Sequence, residues 1–170
     1  MLSIKPDGWC EENEFAWLQE QSAGMPVVEL GVHRGRSTQA FLNSPEIACV
    51  DAWFHDGAYE SFCSTFKEYI DSKQISIYYT KDLYDLLDEQ RLRLIAEWSQ
   101  RAGFAYVDCG HAPTQVESDI NLSKQLLRPG GILCGHDSRG GWSESVIQGL
   151  TLSGIKWRHA AGSIWVEDTE

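Results

Sequence analysis

No apolar run in this chain is longer than a few residues, so a membrane-crossing helix, which needs about 20, is not expected. The first residues, MLSIKPDGWC, lack the apolar core of an export signal, and a cytoplasmic protein is the expectation. Basic residues are scarce as well. Fourteen Lys and Arg face 25 Asp and Glu for a formal net charge of −11, and the basic residues form no run. A nucleic-acid backbone is therefore a poor partner, because phosphate binding needs basic patches. The five cysteines (Cys10, Cys49, Cys63, Cys109 and Cys134) are odd in number and contain no C-x-x-C pair. A disulfide framework would strand one of them, so reduced thiols in a reducing compartment fit better. Repeats, linkers and low-complexity tracts are missing too, which leaves one domain over 1–170: an N-terminal helical segment, 1–24, and a core, 25–170.

What is present is an alternation of short apolar strands with amphipathic segments, in a chain of 170 residues that is 42% hydrophobic and includes seven Trp. That many tryptophans implies that some line a cleft or an interface. Residues 12–22 read as a leading helix, 26–30 as a strand, and the stretch through Ala40, Phe41 and Leu42 as a helix. A second strand covers 47–50. Tyr59, Phe62, Phe66 and Tyr69 recur at three and four residues, predicting a helix over 57–71. Residues 75–80 read as a strand and 83–99 as a helix bearing Leu83, Leu86, Leu87, Leu94, Ile95 and Trp98. A strand over 104–107 leads to a helix over 113–127 with Pro113 in its first turn. Arg128-Pro129-Gly130-Gly131 reads as a turn, 132–134 as a strand, 143–152 as a helix, and 155–159 with 163–166 as an edge hairpin. Five β/α alternations and a terminal β pair predict an α/β fold: a doubly wound, mostly parallel, seven-stranded sheet with helices on both faces and a C-terminal antiparallel pair. Ligands of such sheets bind beyond the carboxyl ends of the strands, near the switch in strand order.

The residues just after each strand therefore carry the chemistry. After the first comes Glu29-Leu30-Gly31-Val32-His33-Arg34-Gly35-Arg36-Ser37. Glycines four apart let the backbone pass close to a ligand, but the spacing is not the G-x-G-x-x-G of pyrophosphate binders. Glu29 could accept from a ligand's amine. Asp51 ends the second strand about 20 residues on, where ribose hydroxyls are held in dinucleotide folds; a turn or cap is its structural alternative. Asp82 is as much a helix cap as an acceptor for an adenine amine. The fourth and fifth strands end in Asp108-Cys109-Gly110-His111 and Cys134-Gly135-His136-Asp137. Adjacent parallel strands, about 5 Å apart, would bring Asp108, His111, His136 and Asp137 together. Such a group suits a hard divalent cation, and His111 suits removal of a hydroxyl proton near neutral pH. The alternative leaves Asp108 to a turn and His111 to a helix cap. A Cys₂His₂ zinc site fits poorly, because C-x-H matches neither half of the usual ligand spacing. Trp53 and Phe54 follow the ribose acid, and Gly140-Gly141-Trp142 could form a flap.

The series E-L-G-x-x-x-G-x-S, V-D, D-x-x-H, and R-P-G-G-I-L-x-G-H-D resembles class I S-adenosylmethionine-dependent methyltransferases. More narrowly, it is similar to a small group of bacterial natural-product and sugar O-methyltransferases that includes the macrocin type. The resemblance spans about residues 26–166. It implies that Glu29, Gly31, Gly35 and Ser37 hold the methionine end of the cofactor, that Asp51 takes the ribose, and that Asp82 and Leu83 frame the adenine. In metal-assisted relatives the acid ending strand four and the pair after strand five ligate Mg²⁺ or another divalent cation, here Asp108, His136 and Asp137, with Asp108 also beside the cofactor. His111 would be the base and Asp119 would orient it. Two positions depart from the pattern: Gly110 stands where many relatives carry a second acid, and His136 where some carry an oxygen ligand.

The expected activity is methyl transfer to a hydroxyl of a small molecule, with no nucleic-acid or membrane partner. So little chain lies outside the cofactor fold that the leading helix, the Trp142 loop or a second subunit must close the pocket, which makes a homo-oligomer an expectation. The rivals are a non-catalytic cofactor-binding subunit and a nicotinamide-dependent oxidoreductase.

Overall fold

The computed structural model describes residues 6–80, 83–85 and 87–169. Its elements follow in order: α1 (Glu12–Ser22), β1 (Val27–Leu30), a 3₁₀ helix (Thr38–Asn43), β2 (Ile47–Asp51), α2 (Ala58–Thr65), α3 (Lys67–Asp71) and β3 (Ile75–Tyr79). Then come α4 (Glu89–Trp98), β4 (Ala102–Val107), α5 (Pro113–Leu126), β5 (Leu127–Gly135), α6 (Ser143–Leu152), β6 (Trp157–His159) and β7 (Trp165–Glu167). The strands form one seven-stranded sheet in the order β3-β2-β1-β4-β5-β7-β6. The first five are parallel, while β7 runs antiparallel to both β5 and β6. This is the expected Rossmann-like layout.

Alternation along each strand divides the core between the two faces. Val28, Leu30, Ala48, Val50, Ala105 and Val107 pack with residues of α4, α5 and α6. Val27, Ile47, Cys49, Phe104 and Tyr106 pack with Leu18 of α1 and Phe62 of α2. Glu29 shares the second face and is fully buried there. All four residues of β1 are buried, as a central parallel strand covered on both sides requires.

Local structure departs from periodicity in four places. The helix read over 57–71 breaks at Phe66 (φ −103°, ψ 15°), whose ring packs 4.8 Å from that of Phe62. The helix expected from residue 83 begins at Glu89, because Asp88 caps it by accepting from the Gln90 and Arg91 amides at 2.9 Å. Leu86 and Asp82 lie outside the described residues. The segment after the glycine loop is 3₁₀ rather than α. Arg128–Gly131, read as a free turn, is the start of β5, and the β4–β5 register shifts between Ala102 and Phe104.

Candidate active site

The chain winds outward from β1 to β3 and then returns to lay β4 on the other side of β1, so β1 and β4 flank the switch in strand order. A cavity of about 900 Å³ opens at the carboxyl ends there. Ligand pockets commonly span roughly 300–1,000 Å³, so there is room for a nucleoside with a second molecule beside it. The loops after β1, β2, β4 and β5 line the cavity, and Asp7–Cys10 supplies one wall.

In the half nearest β1 and β2, Gly31 has φ +91°, and a Cβ on it would lie 1.9 Å from the Asp108 carbonyl oxygen. Only glycine allows the loop to pass β4 this closely. Asp51 Oδ2 accepts from the Val32 and His33 amides at 2.7 and 2.8 Å, and its Oδ1 accepts from the Trp53 amide at 2.6 Å. The Trp53 indole donates to the His33 carbonyl at 2.7 Å. Asp51 therefore joins two loops while lining the cavity, and Oδ1, with one donor to the two on Oδ2, keeps a second lone pair for a ligand hydroxyl. His33 and Trp53 both sit at positive φ, which L residues avoid unless their surroundings fix them. Thr80 is buried in the same wall, and its hydroxyl has no partner among the described residues. A buried hydroxyl left open toward a cavity fits a polar ligand.

Glu29 stands behind this wall rather than in it. Its oxygens accept from the hydroxyls of Ser37 and Thr38 (the latter at 2.6 Å), which fixes the start of the 3₁₀ helix. Burial raises its carboxyl pKa to about 8, against the lowering pull of those two hydroxyls. Gly35 also lies off the wall, because a Cβ there would meet the Phe66 ring at 2.3 Å. Ser37 and Leu83 line the cavity.

The half nearest β4 and β5 brings Asp108, His111, His136 and Asp137 together. His111 Nε2 and Asp137 Oδ2 are 2.8 Å apart, and Trp142 stacks on the His111 ring at 4.9 Å. The hydrogen bond to Asp137 raises the His111 pKa from its ordinary value. Burial, and the nearby Asp137 charge, raise that of Asp108 to about 6. Asp137 itself sits at φ +62° and is held well below the ordinary carboxylate range by hydrogen bonds from both histidines, which outweigh its burial. Asp119 does not touch His111. Its Oδ2 accepts from the Tyr84 hydroxyl at 3.2 Å. That same hydroxyl explains Gly110, since a Cβ there would lie 2.3 Å from it.

Asp108, His111 and Asp137 each offer a donor atom, all within 4.8 Å of one another. His136, the other residue suggested as a ligand, is differently engaged. Its Nδ1 is 3.2 Å from Asp137 Oδ1, and its Nε2 is 3.1 Å from Glu14 Oε2 and 2.8 Å from Ser163 Oγ. Both ring nitrogens are thus turned to protein partners, and the His136-containing ligand set does not fit a cation. Glu14 and Ser163 went unnoticed in the sequence because neither follows a strand, and nothing in a helical Glu at position 14 marks it as buried. Asp7–Cys10 and Tyr84 were missed for a similar reason, although Trp9, 73% exposed and stacked 4.9 Å from His33, belongs to the tryptophan excess that hinted at a cleft.

Residues 28–138 match the model of a family described as a methyltransferase domain. No curated protein matches the chain. Solved structures with a similar fold include an O-methyltransferase from Bacillus cereus in complex with SAH, 14% identical, with a TM-score of 0.67 over 96% of this chain and 84% of that one. Another is fibrillarin from Aeropyrum pernix with natively bound S-adenosyl-L-methionine, 12% identical, with a TM-score of 0.63 over 92% of this chain and 75% of that one. A precorrin-6y C5,15-methyltransferase from Geobacter metallireducens is 8% identical, with a TM-score of 0.64 over 94% and 86%.

Proposed function

This chain belongs to the methyltransferase-domain family, and on that premise we propose that it transfers the sulfonium methyl of S-adenosylmethionine to a hydroxyl of a small molecule, with His111 as the base. The observation that carries the reading is the His111–Asp137 pair, set in the wall of the cavity that the glycine loop also borders. Asp51 and the open Thr80 hydroxyl suit a ribose and an adenine. The residues present thus fit the cofactor.

When bound, S-adenosylmethionine supplies an electrophilic methyl group that needs no activation by the protein. Its surroundings have two tasks: to hold an acceptor oxygen in line with that methyl, where positioning supplies much of the rate, and to remove the proton. Asp137 accepts from His111 Nε2, which leaves the lone pair on Nδ1 to take the proton from the acceptor hydroxyl. As His111 becomes positive, Asp137 is already ionised beside it, so the charge is stabilised without rearrangement. Trp142 covers the outer face of His111 and is 57% exposed, so an acceptor with a flat or apolar face can replace solvent on it.

Calorimetry with S-adenosylhomocysteine tests the cofactor, with one site per chain as the expected result. Stabilisation by NAD(P) in its place refutes the reading in favour of a nicotinamide enzyme. Transfer of labelled methyl to a panel of hydroxylated compounds tests the activity, and wild type that binds the cofactor but methylates none of them, with His111→Asn indistinguishable from it, points to a binding subunit.

A further inference from the structure

The least expected feature of the site is the company His136 keeps. The residue is 8% exposed, and every polar atom it has is committed. Its amide donates to the Val107 carbonyl at 3.0 Å, and its carbonyl accepts from the Trp165 indole at 3.1 Å, so neither the backbone nor the plane of the ring can drift. Both ring nitrogens face carboxylates. Asp137 Oδ1 lies 3.2 Å from Nδ1, with Asp108 Oδ1 3.9 Å away, and Glu14 Oε2 lies 3.1 Å from Nε2. Ser163 Oγ completes the set, donating to Glu14 Oε1 at 2.9 Å and standing 2.8 Å from His136 Nε2. Ionised carboxylates only accept, so this arrangement is satisfied by a ring that donates from both nitrogens.

We propose that His136, held doubly protonated by Glu14, is a built-in positive group that takes the place of a divalent cation between Asp108 and Asp137, and that it positions Asp137 and, through it, His111. The proposal rests on His111 acting as the base. A chain of contacts supports it, running from Glu14 to His136, to Asp137, to His111, with every link a close contact between acid and imidazole. The remaining donor group, Asp108, His111 and Asp137, accepts a metal only by giving up either the Nε2 bond to Asp137 or the Nδ1 lone pair that makes His111 a base, and only with a second positive charge held close to a buried imidazolium. Like charges at that range, poorly screened by solvent, repel strongly. Glu14 is accordingly a positioning residue, brought to the site by α1 from outside the sheet.

Two measurements on the full chain decide the matter, each made with and without S-adenosylhomocysteine. With ¹⁵N-labelled histidine, nitrogen-detected NMR across a pH titration is expected to show one histidine that stays protonated on both ring nitrogens after His111 has lost its proton, assigned by its loss in His136→Gln. In Glu14→Gln, a near-isosteric change, that signature is expected to fade and the His111 resonances to shift, while S-adenosylhomocysteine still binds. Titration with Mn²⁺ followed by electron paramagnetic resonance is expected to leave the ion free. A His136 carrying a single proton, or one Mn²⁺ held per chain, overturns the proposal, and both readings come from wild-type protein. Failure to bind S-adenosylhomocysteine would remove the methyl-transfer reading alone, since the imidazole and Mn²⁺ results are obtained independently of it.

Discussion

At His111 the ring does two things at once: it pairs with Asp137 through Nε2 and carries Trp142 on its face. Replacing it with Asn removes the base but keeps a polar side chain, so turnover is expected to fall by about 10²–10⁴ while the affinity for S-adenosylhomocysteine stays within about twofold. Because Asp137 raises the His111 pKa, the neutral, basic form gains population only above the ordinary 6.5. The rate of the wild type is therefore expected to climb with pH through a midpoint above that value, in a profile of turnover against pH. Glu29 gives a different test. Its carboxyl pKa is raised from 4.5 to about 8 by burial, so its contribution to stability is complete below 4.5 and is lost as pH rises through 8. Glu29→Gln mimics the protonated form. Thermal melts across that range should show the wild type losing stability relative to the variant between 4.5 and 8; parallel curves would mean that the carboxyl is ionised when folded.

Among the elements, α1 depends most on single side chains. Arg36 reaches Glu12 at 3.1 Å and lies over the Phe15 ring at 4.4 Å, and Glu14 reaches the turn before β7 as well as His136. Removing Glu14 as Ala would leave a buried imidazole and the Ser163 amide without their acceptor, at an expected cost of about 3–5 kcal/mol. The pH window of this contact follows from both partners. The Glu14 pKa is lowered to about 2, its hydrogen bonds outweighing burial, so its contribution is complete above 4.5 and lost as pH falls toward 2. That of His136 is raised to about 10 by Asp137 and Glu14 against burial, so its contribution is complete below 6.5 and lost as pH rises toward 10. The melting-temperature gap between wild type and Glu14→Gln should be widest between 4.5 and 6.5 and narrow on either side. Gly162 tests the same contact from the far end. It has φ +53°, and a Cβ there would meet Glu14 Oε1 at 2.3 Å, so Gly162→Ala is expected to destabilise by more than about 1 kcal/mol. Calorimetric unfolding checks it. The helices and strands themselves were largely legible, since α1, α5 and α6 fall where the apolar spacing and Pro113 place them. The break at Phe66 and the late start of α4 were not, because periodicity shows which face is apolar and not whether the backbone stays helical between two apolar positions.

For the molecule as a whole, the parallel sheet with its antiparallel end was readable from the alternation of elements, and with it the meeting of Asp108, His111, His136 and Asp137 beyond the strand ends. What pairs with what inside that group was not. It depends on side chains from opposite ends of the sequence, and no spacing rule links Glu14 to His136, 122 positions on. If the cavity takes the cofactor, saturating S-adenosylhomocysteine at 100 times its dissociation constant should add about 2.7 kcal/mol to the unfolding free energy, visible as a higher melting temperature in wild type and absent in Gly31→Ala, whose Cβ collides with the Asp108 carbonyl just beyond β4. The bond between Glu14 and the Ser163 amide spans 149 positions and ties the first helix to the final hairpin. During synthesis, α1 leaves the ribosome long before the turn that receives it. A nascent chain halted ahead of Ser163 would hold the glycine loop, the base and His136, yet lack the amide and hydroxyl that fix the other oxygen of Glu14, so the final seating of α1 should come late and abruptly, as the closing hairpin emerges.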